Sequence, residues 1–202
     1  QPGGKLLDRN LNFKIENRYL STANLELEAN LDYVLLTGDF DPTGVDEISL
    51  LEGEEFRNAQ LELAYRSNNT KDFTYGARLI GGKFFGGNRY GFRTNFGYRL
   101  GVLGALSLTA SYNYLAREAP YSSASLFLLG PKFDITFTKK LFWTTFLQYN
   151  NQSDNFNINS RLQWRFLPAS DMFLVYTDNY YSDFSANKNR ALVVKVSYWL
   201  NL

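Results

Sequence analysis

The chain has 202 residues, 17% of them aromatic, with 21 Lys and Arg against 20 Asp and Glu for a net charge of +1. That near balance gives no electrostatic case for nucleic acid. The absence of cysteine excludes a disulfide scaffold and cysteine chemistry, and the absence of histidine excludes a Ser-His-Asp triad, a histidine base and His-ligated zinc or haem.

No run of about 18 apolar residues exists, so no transmembrane helix is predicted. Apolar and polar residues instead alternate in stretches that recur about every 15 residues, as in long membrane-crossing strands with their turns. Shorter strands and fewer aromatics would mark a soluble β-sandwich or lipocalin-like barrel. The expected fold is an all-β, antiparallel transmembrane β-barrel of about 10–12 strands, forming one domain over residues 1–202.

Taken in chain order, the first strand is predicted over 10–19, with Leu11, Phe13 and Ile15 on one face. The second, 25–36, sets Leu25, Leu27, Ala29, Leu31 and Tyr33 outward and Glu26, Glu28, Asn30 and Asp32 inward. The third, 57–66, has Leu61, Leu63 and Tyr65 outward and Glu62 inward; the fourth, 73–85, sets Phe73, Tyr75, Ala77 and Leu79 against Arg78. The fifth, 89–100, opposes Tyr90, Phe92, Phe96 and Tyr98 to Arg93, Asn95 and Arg99. The sixth, 105–116, opposes Leu106, Leu108, Tyr112 and Tyr114 to Ser107, Thr109 and Asn113.

The seventh, 124–137, contains Pro131, which lacks a ladder donor, so a bulge is expected there. The eighth, 141–150, carries Trp143, Leu147 and Tyr149, with Phe142 and Phe146 inward. The ninth, 156–167, opposes Phe156, Ile158, Leu162, Trp164 and Phe166 to Asn157, Asn159, Arg161, Gln163 and Arg165. The tenth is 172–180. The eleventh is the terminal stretch, with Leu192, Val194, Val196 and Tyr198 against Lys195 and Ser197.

The connections alternate between two sets. Short turns lie near 20–24, 67–72, 100–104, 138–140 and 168–171. The other set contains the long loop 37–56, together with 117–123, 181–189 and a tight Gly-Gly-Asn hairpin at 86–88, and is expected to be extracellular. Eleven strands put the two chain ends on opposite sides, whereas bacterial single-chain barrels have even strand numbers. The parity implies either a missed strand or preceding strands in a longer parent. No signal peptide stands at Gln1, so the chain reads as a mature protein or a fragment.

Three segments carry a resemblance to a known family: Phe84-Phe-Gly-Gly-Asn-Arg89, the run from Ser160 to Tyr176, and Asn189-Arg-Ala-Leu-Val-Val-Lys-Val-Ser-Tyr198. They resemble the C-terminal barrel of a bacterial outer-membrane family of unknown function. Members of that family carry an N-terminal domain similar to family-nine carbohydrate-binding modules. The resemblance spans roughly residues 40–202 and implies no catalytic residues. The carbohydrate-module-like part is not in this chain, and Leu202 stands where outer-membrane barrels usually end in Phe or Trp.

The expected interior is lined by charge of both signs: Glu26, Glu28, Asp32 and Glu62 on one wall, Arg78, Arg93, Arg99, Arg161 and Arg165 on the other. Such walls create a transverse field across a water-filled pore, or they neutralise one another in a packed lumen. Trp143, Trp164, Tyr198 and Trp199 are expected in belts at the membrane–water boundary. Loop 37–56 carries Asp39, Asp41, Asp46 and Glu47 as a candidate divalent-ion loop; its spacing is not that of an EF-hand, and no metal is assigned.

The function expected is that of an integral outer-membrane pore, or transport-associated barrel, for small polar solutes in a Gram-negative bacterium. It needs no cofactor and performs no catalysis. Its surroundings are outer-membrane lipid and lipopolysaccharide, with partner subunits of an outer-membrane complex as further candidates. The competing reading is a non-conducting anchor or scaffold for a partner protein or a carbohydrate-binding-like domain. For a third reading, a histidine-independent enzyme, the sequence offers no cluster of inward carboxylates near the outer rim.

Overall fold

A computed structural model describes residues 4–44 and 48–200. The described chain is almost entirely β-structure. Its eleven strands are β1 (Asp8–Arg18), β2 (Asn24–Leu35), β3 (Glu55–Arg66), β4 (Phe73–Phe84), β5 (Gly87–Arg99), β6 (Gly104–Ala116), β7 (Ala124–Thr138), β8 (Leu141–Asn150), β9 (Asn155–Leu167), β10 (Ser170–Tyr180) and β11 (Asn187–Ser197). They form one antiparallel meander in the order β1 to β11, each strand beside its chain neighbours. The eleven predicted strands and their alternating connections are all present.

The sheet is not closed into the expected barrel. β1 and β11 stand at its two ends, each with a single strand partner among the described residues. In an antiparallel meander of eleven strands, the first and last run in the same direction. Nothing in the local alternation of a strand specifies what its free edge meets, which is why closure was not legible from the pattern.

Two hairpin features differ from expectation. The β4–β5 connection is the two-residue turn Phe85–Gly86, not 86–88. Both residues have positive φ, 43° and 79°, which suits the right-handed twist of a two-residue hairpin. Phe85 is held there by its ring, 5.0 Å from Phe40, 5.4 Å from Phe56 and 4.8 Å from Phe84. Its N–H donates to Asn58 Oδ1 at 2.7 Å. The bulge expected at Pro131 is also displaced. On the β8 side the ladder resumes without a shift, Leu129 opposite Tyr149 and Lys132 opposite Phe146, and the irregularity falls between Thr136 and Thr138. Proline's missing donor interrupts a hydrogen bond without adding a residue to the strand.

The chain forms two compact units. One comprises Gln1–Thr70, Gly76–Thr94 and Ser111–Leu126; the other comprises Lys71–Tyr75, Asn95–Ala110 and Phe127–Leu202. In the first, register aligns apolar rows such as Ile15–Leu27–Leu63–Leu79 across β1 to β4. The opposite face holds rows such as Lys14–Glu28–Glu62. In the second, Trp143–Leu162–Leu174–Val194 forms an apolar row across β8 to β11, and Gln148–Asn157–Asn179–Asn189 a polar one.

Among the described residues no second layer covers the apolar face of either unit. The buried apolar side chains among those residues are only Ala23, Leu35, Leu36, Leu50, Leu115 and Ala124. Phe13 is 62% exposed and Val194 62%. The small buried cluster around Leu50 belongs to the loop after β2, where Phe40 and Leu50 exchange both backbone hydrogen bonds at 2.9 Å.

Candidate functional site

The polar face of each unit is the candidate site, because it gathers the charged side chains that the alternation sets apart. In the first unit, Glu26 and Glu28 on β2, Glu62 on β3 and Arg78 on β4 share that face. Their charges meet as neighbours. Arg78 Nη1 lies 2.5 Å from Glu62 Oε2, and its Nη2 lies 3.9 Å from Glu26. Lys14 Nζ lies 2.9 Å from Glu26. Glu28 accepts from Asn12 at 2.5 Å and from Asn30 at 3.0 Å, and Asp32 accepts from Asn10. In this unit acid and arginine meet across adjacent or next-but-one strands of one sheet.

Arg89, Arg93, Ser111 and Asn113 of the same unit join this face. Arg89 on β5 donates through Nε and Nη2 to Asn113 Oδ1 of β6, at 3.0 and 2.7 Å. Its guanidinium carbon lies 5.6 Å from the centre of the Phe84 ring. Arg93, two positions beyond Gly91, lines the same open recess of about 250 Å³ with Glu62, Arg78, Ser111 and Asn113. Arg89 was not among the predicted lining residues, although it shares odd parity with Arg93 on β5.

In the second unit, the polar face carries Arg161 and Arg165 on β9. Arg165 Nε lies 3.3 Å from Asp171 Oδ1, and Gln163 donates to the same oxygen at 3.0 Å. The Arg165 guanidinium also sits 5.9 Å from the centre of the Phe142 ring. Arg161 stands opposite Thr144, which stands opposite Asp134. Thr144 donates to Asp134 at 2.9 Å, and Lys132 pairs with Asp134 at 2.6 Å. Asn157, Asn179 and Asn189 link β9, β10 and β11 by side-chain amide hydrogen bonds. Arg99 closes β5, its N–H donating to Asp72 O at 2.9 Å.

The predicted interface aromatics lie near the short-turn ends of their strands. Trp143 is 6.5 Å from Phe137 with rings nearly parallel, and its Nε1 donates to Ser160 at 2.8 Å. Trp164 is 5.7 Å from Phe166. Tyr198 and Trp199 follow β11, both well exposed, with the Trp199 N–H donating to Ser170 Oγ at 3.0 Å. A second aromatic group marks the opposite ends: Phe127 is 6.0 Å from Tyr149, and Phe156 is 4.9 Å from Phe184.

One polar cluster on the apolar side escaped the pattern. Asp178 on β10 is 0% exposed. It accepts from Tyr176 at 2.5 Å, Tyr180 at 2.7 Å and Arg190 at 2.9 Å, and also from Asn187. Asp178 and Arg190 face each other in the β10–β11 register. The available signal was a double break of parity: an acid and an arginine, each at an otherwise apolar position, at the same level of adjacent strands.

The acidic loop is tied to itself. Asp39 accepts from the Glu52 N–H at 3.0 Å, and Asp41 accepts from the Thr43 N–H and hydroxyl at 2.8 and 2.6 Å. Asp46 and Glu47 lie outside the described residues. Among the described residues no group of three or more acids is placed to hold a metal.

Comparison with protein-family models, with curated proteins and with solved structures gave no match.

Proposed function

We propose that the chain is the membrane-embedded wall of an outer-membrane β-barrel whose polar face lines a path for small polar solutes. The observation that carries this reading is the uncovered apolar face bounded by two aromatic groups. On β9, Phe156 and Trp164 are eight residues apart, roughly 26 Å along a strand, which a tilt of ~40° projects to roughly 20 Å. Outer-membrane barrels carry an apolar band about 25 Å tall between aromatic girdles. Lipid is the cover that such a face suits, and strands of 10 to 15 residues are long enough to cross it. On this reading lipid and lipopolysaccharide surround the barrel, with partner subunits as further neighbours.

In lipid the free edges of β1 and β11 are not viable, since each unpaired backbone group would be very costly. Further antiparallel strands of a longer parent polypeptide, one standing against β1 and one against β11 or the same one against both, satisfy both edges. That arrangement agrees with the resemblance to the C-terminal barrel of a larger outer-membrane family.

The cross-strand ion pairs Arg78–Glu62, Lys14–Glu26 and Arg165–Asp171 favour a second reading, a packed lumen in a scaffold that conducts nothing. Reconstitution of the protein, purified from native outer membranes, into planar bilayers separates the two. Discrete, reproducible conductance steps are expected of the pore; a folded, inserted protein without them is the scaffold.

A further inference from the structure

We propose that the recess on the polar face of β3 to β6 binds an oxyanion: the carboxylate or phosphate group of a small solute. This inference rests on the reading that the polar face is wet, and it names the solute class. Three guanidinium groups, Arg78, Arg89 and Arg93, line the recess with one carboxylate, Glu62. Glu62 is already engaged by Arg78 at 2.5 Å. Among the described residues, neither Arg89 nor Arg93 has a carboxylate partner within ion-pair distance. The guanidinium groups of Arg89 and Arg93 are therefore free of direct ion pairs on this patch.

Arg89 and Arg93 flank Gly91 on one face of β5, so β5 itself places no side chain between the two guanidinium stems, and Ile80 and Asn113 of the neighbouring strands form the floor there. The Cα atoms of Arg89 and Arg93 are about 13 Å apart along the strand, a span that two long arginines close over a small anion. A Cβ on Gly91 would stand 2.3 Å from Ile80 Cγ2 and 2.8 Å from Asn113 Oδ1. Glycine thus lets Ile80 and Asn113 close onto the strand between the two arginines, and from there Asn113 anchors Arg89. The Asn113 contact and the Phe84 ring hold the Arg89 guanidinium in a fixed orientation. With its Nε–Nη2 edge on Asn113, the held guanidinium still offers its Nη1–Nη2 edge, whose parallel N–H groups match two oxygens of an oxyanion. Ser111 adds a hydroxyl to the same lining.

The test is titration calorimetry of the folded, detergent-solubilised protein with inorganic phosphate and, separately, succinate, at low ionic strength. Saturable binding of at least one probe is expected, weakened about tenfold by Arg93→Gln, which removes one charge-assisted pair. Arg93→Lys keeps the charge but loses the fork; it is expected to weaken binding as well, and it serves if the glutamine variant does not fold. Lys139→Gln, in the β7–β8 turn, is expected to bind as the parent does. No saturable heat from folded parent protein overturns the proposal, as does an equal loss in the Lys139 variant, which would mark diffuse charge. Conductance is measured on the same preparations. Binding without conductance overturns the pore and leaves the site; conductance without binding overturns the site alone.

Discussion

At the scale of single residues, the sharpest departure from the strand pattern is Asp178. Its carboxylate is fully buried on the apolar side of β10 and is held by two tyrosine hydroxyls, Asn187 and Arg190. Burying such a group is costly unless every lone pair is engaged. Replacing it leaves four oriented donors without an acceptor. Asp178→Ala is therefore expected to lower the denaturation midpoint, whereas Asp183→Ala, which loses only an exposed loop cap to Ser185 at 2.9 Å, is expected to leave it unchanged. Equal midpoints would show that the cluster contributes nothing. Asp154 gives a pH signature in the loops. The Ser182 hydroxyl and its N–H at 3.0 Å, with Lys188 nearby, hold the Asp154 carboxyl below its ordinary value of 3.8. A lowered value means that the link between the β8–β9 turn and the β10–β11 loop is complete above that ordinary value. The link is lost as pH falls through the lower, folded value. The Ser182 amide resonance is expected to titrate with a midpoint below 3.8, and Asp154→Asn to abolish that transition. A midpoint at 3.8 would mean that the hydrogen bonds favour neither form, and one above it that the surroundings favour the neutral acid.

At the scale of the element, alternation did most of the organising. On β11, Leu192, Val194 and Val196 share the face of Met172, Leu174 and Tyr176 on β10, while Lys195 lies opposite Phe173 on the other face. On the proposed reading Val194 faces lipid near mid-depth. Val194→Arg is expected to cost about 2–4 kcal/mol of folding stability in lipid, whereas Lys195→Glu is tolerated. Urea titration of protein folded into vesicles measures both. Normal folding of the first with failure of the second would invert the assigned faces. The same alternation explains why β3, with Leu61, Leu63 and Tyr65 against Glu62, was readable, and why the Phe85–Gly86 turn was not. In Phe-Phe-Gly-Gly-Asn the local turn chemistry suits Gly86-Gly87 or Gly87-Asn88 as well as Phe85-Gly86. Contacts of Phe85 with Phe40 and Phe56, far away in sequence, select the observed one.

At the scale of the whole molecule, β1 and β11 are the two ends of one meander, each with a single strand partner among the described residues. The chain contains no cysteine, so engineered pairs report without background. If further strands stand between the edges, the double variant Phe13→Cys, Val194→Cys is expected to form no intramolecular disulfide in lipid. The pair Phe13→Cys, Ala29→Cys, directly opposite in the β1–β2 register, is expected to cross-link readily. Efficient cross-linking of the first pair would instead establish direct closure through a parallel seam, since β1 and β11 run in the same direction.

The sequence by itself determined eleven strands, their two faces and the alternation of short and long connections. Those properties follow from period-two geometry and turn chemistry, both local. It also determined that histidine and cysteine chemistry are excluded, because composition alone settles that. The tertiary structure decided which charges touch. Glu26 and Glu62 meet Arg78 because β2, β3 and β4 are neighbours in register. The structure also brought Asn113 of β6 to Arg89 of β5 across Gly91, and Arg190 of β11 to Asp178 of β10. Finally, it showed that among the described residues the sheet is open at both ends, a property of edges whose partners no strand's own periodicity encodes.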